Sequence, residues 1–149
     1  MAATDFQLGM NAKVYRNTAT YASPTWSEIT IVRDVTLNLS SGEFDASTRG
    51  TGGWRQTART LKEASVDINI LYKQGDAGYN ALRDSYLNGT LIDMAIMSDN
   101  IATSGSEGLR AEMDVFEFNR GEPLEEGLTI DVTVKPRPSA NAPTWMIVP

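Results

Sequence analysis

Residues 64–72 read Ala-Ser-Val-Asp-Ile-Asn-Ile-Leu-Tyr, and they carry the clearest periodicity in this chain of 149 residues. Apolar side chains occupy every second position, while Ser65, Asp67 and Asn69 fall on the opposite face. A period of two is that of a β-strand with one face buried and the other solvated. Because antiparallel sheets commonly leave one face to water, this run predicts a strand of an antiparallel sheet.

The segments on either side predict a mainly β chain. Alternating or apolar stretches, five or six strands in all, recur at 13–16, 28–39, 90–98, 109–118 and 128–135. The single helical pattern is residues 76–88, where Asp76 can cap the start and Asn88-Gly89 can end the helix. We therefore expect one domain over 1–149, a small β-sandwich or partly open barrel with one flanking helix at about 76–88.

The chain contains neither cysteine nor histidine, which excludes several classes of chemistry. Disulfides and thiolate metal sites need cysteine, and histidine is the commonest general base and metal ligand. Carboxylates remain, and Glu112 and Asp114 lie two positions apart on one face of a predicted strand. Paired carboxylates can act as acid and base, but alternation places these two on the solvated face. We therefore predict no enzyme, no cofactor and no metal site.

Charge is distributed unevenly along the chain. Thirteen basic and 19 acidic residues give a net charge of −6, which argues against a protein that grips nucleic acid. Residues 41–63 hold four basic and three acidic residues, whereas residues 89–120 hold two basic and six acidic residues. Unlike patches on one chain favour association between copies of that chain.

Targeting and membrane segments are not expected. The longest apolar runs fall far short of the roughly 20 residues that a membrane-spanning helix needs. The first residues lack the basic region and apolar stretch of a signal peptide, so we expect synthesis and use in the cytoplasm.

Three segments place large apolar residues where the chain's own core is hard to reach. They are an N-terminal arm at about 1–12, a glycine-rich loop at about 41–62 and a C-terminal arm at about 137–149. Apolar groups of this kind either fold back on their own domain or bury against another subunit. The candidate inter-subunit residues are Phe6, Met10, Phe44, Arg49, Trp54, Arg55, Trp145 and Ile147.

Several short motifs lie along the chain in a particular order and spacing. They begin with Phe-Gln-Leu-Gly at 6–9 and include Phe-Asp-Ala-Ser-Thr-Arg-Gly at 44–50. They continue through the helix region at 76–93 to Glu-Pro-Leu-Glu-Glu-Gly at 122–127 and cover most of residues 6–138. In this order and spacing they resemble the tail tube proteins of long-tailed bacteriophages and prophages.

The resemblance implies a fold of two near-orthogonal antiparallel sheets with a helix on the flank. It also implies a structural virion protein whose copies, six in the family's pattern, form rings that stack into a hollow tube through which DNA passes. Implied partners are the tape measure, tail terminator and baseplate or tip proteins, with assembly in the host bacterial cytoplasm and no membrane. From this resemblance we expect a lumen lined by Ser65, Asp67, Asn69, Glu112 and Asp114.

Two alternatives stay open at this point. One is a tube protein of the type VI secretion kind, which the same resemblance covers. The other is a small β-barrel module that binds a hydrophobic ligand in a cavity lined by Tyr79, Tyr86 and Met94.

Overall fold

The computed structural model describes residues 6–149. Within that range it contains eight β-strands, one α-helix and two short 3₁₀ turns. The strands are β1 (Lys13–Asn17), β2 (Trp26–Glu28), β3 (Val32–Asp45), β4 (Thr57–Leu71), β5 (Ile92–Met97), β6 (Glu107–Gly121), β7 (Thr129–Pro136) and β8 (Thr144–Ile147). The helix is α1 (Ala77–Asn88), so a mainly β chain with one helix near 76–88 is confirmed.

The strands form one continuous antiparallel sheet. Their order is β2-β1-β5-β6-β7-β4-β3, and β8 pairs with the start of β6. The expectation of two separate sheets is not confirmed by this pairing, because β6 joins the strands on both of its sides.

The sheet curls around a single main core. Val14 of β1 and Met94 of β5 belong to the same buried cluster as Ile68 of β4 and Val132 of β7. Strands so far apart in the sheet can share a core only where the sheet bends toward itself. The register of β6 shifts between Val115 and Glu117, and such a bulge bends a strand and increases its twist.

Helix α1 begins and ends as its sequence predicts. The Asp76 carboxylate accepts a hydrogen bond from the backbone N–H of Tyr79 at 3.0 Å, and Gly89 closes the helix in the left-handed conformation. Tyr79 and Leu82 are buried against the sheet, while Tyr86 is half exposed and stacks on Phe118. The face of α1 that carries Tyr79 and Leu82 therefore covers the core.

The predicted loop at 41–62 is wrong in extent. Strand β3 continues to Asp45 and β4 begins at Thr57, so only residues 46–56 connect the two strands of a long hairpin. Alternation fails here because neither face of this part of the hairpin is buried. Apolar residues alternate along a strand only where one of its faces packs against a core. Gly52 and Gly53 both have positive φ, which suits the turn.

Two short strands are not predicted by the sequence pattern. In β8, residues of the C-terminal segment pair with Glu107–Arg110, so this part of the predicted arm folds back on its own sheet. In β2, Trp26–Glu28 pairs with β1. Strands of three or four residues hold too few positions to show a period. Of the predicted N-terminal arm, residues 1–5 lie outside the described residues.

Candidate assembly surfaces

One face of the sheet is polar across four strands. Its side chains stand in rows that follow the register of β3, β4, β7 and β6, and we call it the polar face. Its members are Asp34, Thr36, Asn38, Ser65, Asp67, Asn69, Asp114, Glu117, Asn119, Asp131, Thr133 and Lys135. Five of these side chains are acidic and one is basic, so the polar face is negative.

Hydrogen bonds between side chains link the strands of the polar face. Asp67 accepts from Asn38 Nδ2 at 2.9 Å and from the Thr133 hydroxyl at 2.9 Å. Asn69 donates to Asp131 at 2.7 Å. These bonds orient the polar side chains and leave most of them exposed or half-buried, so the face is a defined and hydrated surface.

The predicted lumen residues share this side of the sheet, but two of them are partly covered. Ser65, Asp67 and Asn69 lie within the polar face, as does Asp114. Glu112 accepts hydrogen bonds from the hydroxyl of Ser139 and from Asn141 Nδ2. Arg137 lies 3.4 Å from Asp114. The segment 137–141 therefore lies over the β6 end of this surface.

The six predicted apolar contact residues are all exposed. Trp54 in the hairpin turn is 79% exposed, and Phe6 and Met10 before β1 exceed 80%. Phe44 and Ile147 are more than half exposed although both lie in strands. Trp145 is 48% exposed, and its indole N–H donates to Glu107 at 3.0 Å. Strand pairing thus holds Phe44, Trp145 and Ile147 in place without burying them.

Among the exposed leucines that the sequence pattern does not single out, three lie on the β3–β4 hairpin and in the turn after β6. Leu61 on β4 is 80% exposed, Leu39 on β3 is 55% exposed, and Leu124 in the turn between β6 and β7 is 99% exposed. Leu124 has a signal that could have found it, because a leucine among glutamates in a turn has no core to join. Alternation assigns Leu39 to the buried face of a strand, and the exposed stretch of hairpin overrides that assignment.

The hairpin turn is ordered by local hydrogen bonds. Ser47 lies between Asp45 and Gln56: its hydroxyl accepts from the Gln56 backbone N–H at 2.7 Å, and its own N–H donates to Asp45 at 2.9 Å. Bonds from the Ser47 side chain and backbone lower the pKa of Asp45 below its ordinary value. Arg49 and Arg55 are exposed in the same turn, which makes it basic.

A buried ion pair lies on the other half of the sheet. Arg110 Nη2 is 2.7 Å from Asp93 Oδ2, and the same nitrogen donates to the Tyr21 carbonyl at 2.8 Å. The guanidinium also stacks on the rings of Tyr21 and Trp26, 3.8 and 4.9 Å from their centroids. This cluster anchors the connection between β1 and β2, and no local pattern in the sequence indicates it.

Two of the three residues proposed to line a ligand cavity are core residues, and the third, Tyr86, is half exposed. Met94 is fully buried, and Tyr79 is 7% exposed and packs against Tyr72 and Phe118. Tyr79 and Met94 are packed within the core, so their arrangement does not support this alternative. Among residues 6–149, no group of three or more carboxylates is arranged to hold a metal ion. The helix within the same range is too short and too polar to cross a membrane.

The fold and the surfaces together define a class of protein. A β domain with a hydrated acidic face and large apolar side chains held exposed at several other places is typical of a subunit that associates with further chains. The family model for phage tail tube proteins matches residues 12–136, and the chain belongs to the phage tail tube protein family. The resemblance drawn from its motifs is thereby confirmed.

Solved structures share the fold at low sequence identity. A tail of an empty gene transfer agent particle, refined with C6 symmetry, matches with a TM-score of 0.72 and 15% identity, covering 95% of this chain and 99% of that one. The SPP1 tail tube matches with a TM-score of 0.67 and 18% identity, over 87% of this chain and 74% of that one. A chain of the anti-feeding prophage baseplate matches with a TM-score of 0.62 and 9% identity, over 99% of both chains. No curated protein sequence matches.

Proposed function

We propose that this chain is the building block of a phage tail tube. Six copies close a ring, rings stack into a hollow tube in the tail of the virion, and DNA passes through the lumen. Membership of the tail tube family and the fold shared with a C6-symmetric tail support this assembly. The role is structural and not enzymatic.

The polar face is the observation that carries the proposal, and we assign it to the lumen. A conduit for DNA must not bind DNA, and a wall of carboxylates and amides repels phosphate while staying hydrated. Lys135 is the single cation among the twelve positions, and it lies beside the ring of Phe116 at 5.4 Å. Ser65, Asp67 and Asn69 form the centre of this wall, and Glu112 and Asp114 lie at its margin.

The exposed apolar residues are assigned to contacts between copies. Phe44, Trp54, Arg49 and Arg55 belong to the projecting end of the hairpin, where they can reach a neighbouring subunit. Phe6 and Met10 precede β1, and Trp145 and Ile147 lie on β8. Burial of such groups against other copies gives assembly its main driving force.

We further propose that the curled sheet packs as two near-orthogonal layers. The bulge in β6 between Val115 and Glu117 supplies the bend, and the shared core of β1, β4, β5 and β7 is consistent with facing layers. The crossing angle of β4 and β5 in a map of the assembled tube tests this arrangement. An angle near zero contradicts it.

Other tail proteins are the remaining partners. The family assignment implies a tape measure protein inside the growing tube, a terminator at one end and a baseplate or tip at the other. A baseplate chain with the same fold makes one alternative concrete, namely a subunit that forms a single ring below a tube. Polymerisation of the purified chain by itself distinguishes the two, because a baseplate ring would stop at one layer.

The experiment is sizing of the purified protein over a concentration series, followed by electron microscopy. We expect long hollow tubes above a threshold concentration. A protein that stays monomeric at every concentration contradicts the proposal.

A charge-reversal variant tests the assignment of the polar face to the lumen. Asp67→Lys reverses a charge on the polar face and removes two hydrogen bonds, each worth about 1 kcal/mol, so we expect folding and assembly to persist. Release of DNA from particles carrying it should slow. The matched control is Asp84→Lys on α1, where the carboxylate is half exposed beside Arg83, and it should leave release unchanged. Equal release from both particles contradicts a luminal Asp67.

A further inference from the structure

An apolar groove opens at one end of the sheet. Its volume is about 610 Å³, and it lies where β6 begins and β7 ends. We call it the Trp145 groove, and its apolar lining is Leu39, Ala64, Leu109, Pro136, Pro143 and Trp145. Trp145 is held in place there by its hydrogen bond to Glu107.

The rim of the Trp145 groove is mainly basic. Arg59 and Lys62 contribute two cations, and Glu63 contributes one carboxylate. The groove can therefore accept an apolar side chain that brings negative charge with it.

The opposite end of the same two strands carries such a side chain. Leu124 is 99% exposed in the turn between β6 and β7. Glu122, Glu125 and Glu126 surround it in the sequence, and Arg120 pairs with Glu122 at 3.1 Å. The turn 122–127 thus presents an apolar knob with unneutralised carboxylates beside it.

The two features lie at opposite ends of one long strand. Strand β6 bends at its bulge, and strand β7 joins the turn to the groove more directly: at 3.3 Å per residue its eight residues span roughly 25 Å. The turn of a chain cannot reach its own groove over that distance, but it can reach the groove of a second copy placed end to end. A contact between two different patches is heterologous, and it repeats without closing when copies are stacked along one direction.

We propose that the turn at 122–127 of one copy docks in the Trp145 groove of the copy above or below it. Leu124 fills the apolar floor, and Glu125 and Glu126 face Arg59 and Lys62. The inference rests on the proposed tube, for which it supplies the contact between rings. The hairpin turn is not the occupant: it is basic, and it projects from the same end of the sheet as the groove.

Engineered cysteines test the contact, because the chain has none of its own. The variant Leu124→Cys with Ser41→Cys places one thiol on the knob and one on the groove lining, and Pro143→Cys in place of Ser41→Cys tests the other side of the groove. Disulfides need Cα atoms about 4.4–6.8 Å apart, so cross-linking reports close contact. Oxidation of assembled protein should give a ladder of covalent oligomers, in at least one of the two pairs.

Controls separate this contact from its alternatives. The pair Leu87→Cys with Ser41→Cys uses an exposed leucine on α1 and should give no ladder. A band at the dimer and nothing larger would indicate a symmetric contact and overturn the proposal. The absence of any cross-link in both groove pairs, in tubes visible by microscopy, also overturns it and leaves the tube function standing. No tubes from the wild-type chain contradicts the proposed function itself.

Charge reversal gives an independent measurement. Glu125→Lys with Glu126→Lys, or Arg59→Glu with Lys62→Glu, should each raise the threshold concentration for assembly by about tenfold. Combining all four changes restores opposite charges, and we expect the threshold to return to within about threefold of wild type. Thresholds that rise further in the combined variant contradict the pairing.

Discussion

The inner and outer halves of the β3–β4 hairpin share one ladder of backbone pairs but differ in how far their side chains are buried. In the inner half, Val66, Ile68 and Ile70 are buried. In the outer half, residues 41–45 and 57–63, no side chain is buried and Leu61 is 80% exposed. Yet pairing continues from Val32↔Ile70 to Asp45↔Thr57, with two register shifts, one between Val32 and Asp34 and one between Ser41 and Glu43. Backbone hydrogen bonds can extend a ribbon, but a two-stranded ribbon is marginal alone, so the outer half is expected to obtain its packing from another copy.

The largest expected effect is a difference in the free energy of unfolding when one apolar residue is truncated in each half. Ile68→Ala removes side-chain volume from a fully packed site, so the free energy of unfolding should fall by about 2–5 kcal/mol. Leu61→Ala should change it by less than about 0.5 kcal/mol, because Leu61 touches little of its own domain. Urea denaturation of monomers, below the assembly threshold, measures both. Similar losses in the two variants would mean that the outer half is packed in the monomer.

The next effect concerns assembly and not folding. Trp54→Ala should leave the circular dichroism of the monomer unchanged and raise the assembly threshold roughly thirtyfold, which corresponds to about 2 kcal/mol for loss of a buried aromatic anchor. Leu87→Ala, on the exposed part of α1, is the matched control for a lost apolar surface. Loss of monomer fold in Trp54→Ala would place the indole in the core instead.

Salt should affect the rate of assembly more than the stability of the product. Arg59, Lys62 and the arginines of the hairpin turn give the outer half a basic surface, and attraction to acidic surfaces of another copy is screened over about 10 Å at 0.1 M salt. Burial of apolar groups is not screened in this way. We expect slower growth of light scattering at high salt and finished tubes that persist in micrographs. Tubes that dissolve in high salt would mean that attraction between charges, and not apolar burial, holds the subunits together.

The smallest effect is a local titration in the hairpin turn. Hydrogen bonds from Ser47 lower the pKa of Asp45 below 3.8, so the ionised form is favoured in the folded turn. Their contribution is present above the ordinary pKa and is lost as the pH falls through the lowered value. The amide resonance of Ser47 should therefore shift with a midpoint below pH 3.8, and Asp45→Asn should abolish the shift. A midpoint above 3.8 would contradict the hydrogen-bonded carboxylate.

Prediction from the sequence succeeds where a side chain's environment repeats along the chain. Alternation at 64–72 marks the inner part of β4, and the cap residues Asp76 and Gly89 place α1 within one residue. The exposure of Trp54 and Phe6 follows from their position in segments with no period of their own.

Prediction fails where pairing comes from distant residues. Strand β8 depends on Glu107–Arg110, some 38 residues earlier in the chain. The local sequence of Thr144–Ile147 does not predict that pairing partner. The extension of β3 and β4 beyond the core depends on each other's backbone and not on burial. The ion pair of Arg110 and Asp93 joins neighbouring strands whose register must be known first.

The sequence by itself determined the helix, the strands with a buried face, the negative charge, the exclusion of cysteine and histidine chemistry, and the family. These follow from local periodicity, capping and composition, which depend on residues close together in the chain. Only the tertiary structure decided which exposed side chains lie together. It gathers the twelve side chains of the polar face on one side of the sheet, and it places the Trp145 groove at one end of β6 and Leu124 at the other. Side chains that stay in contact with water are under no burial constraint, so no period records their positions, and only the register of the folded sheet brings them together.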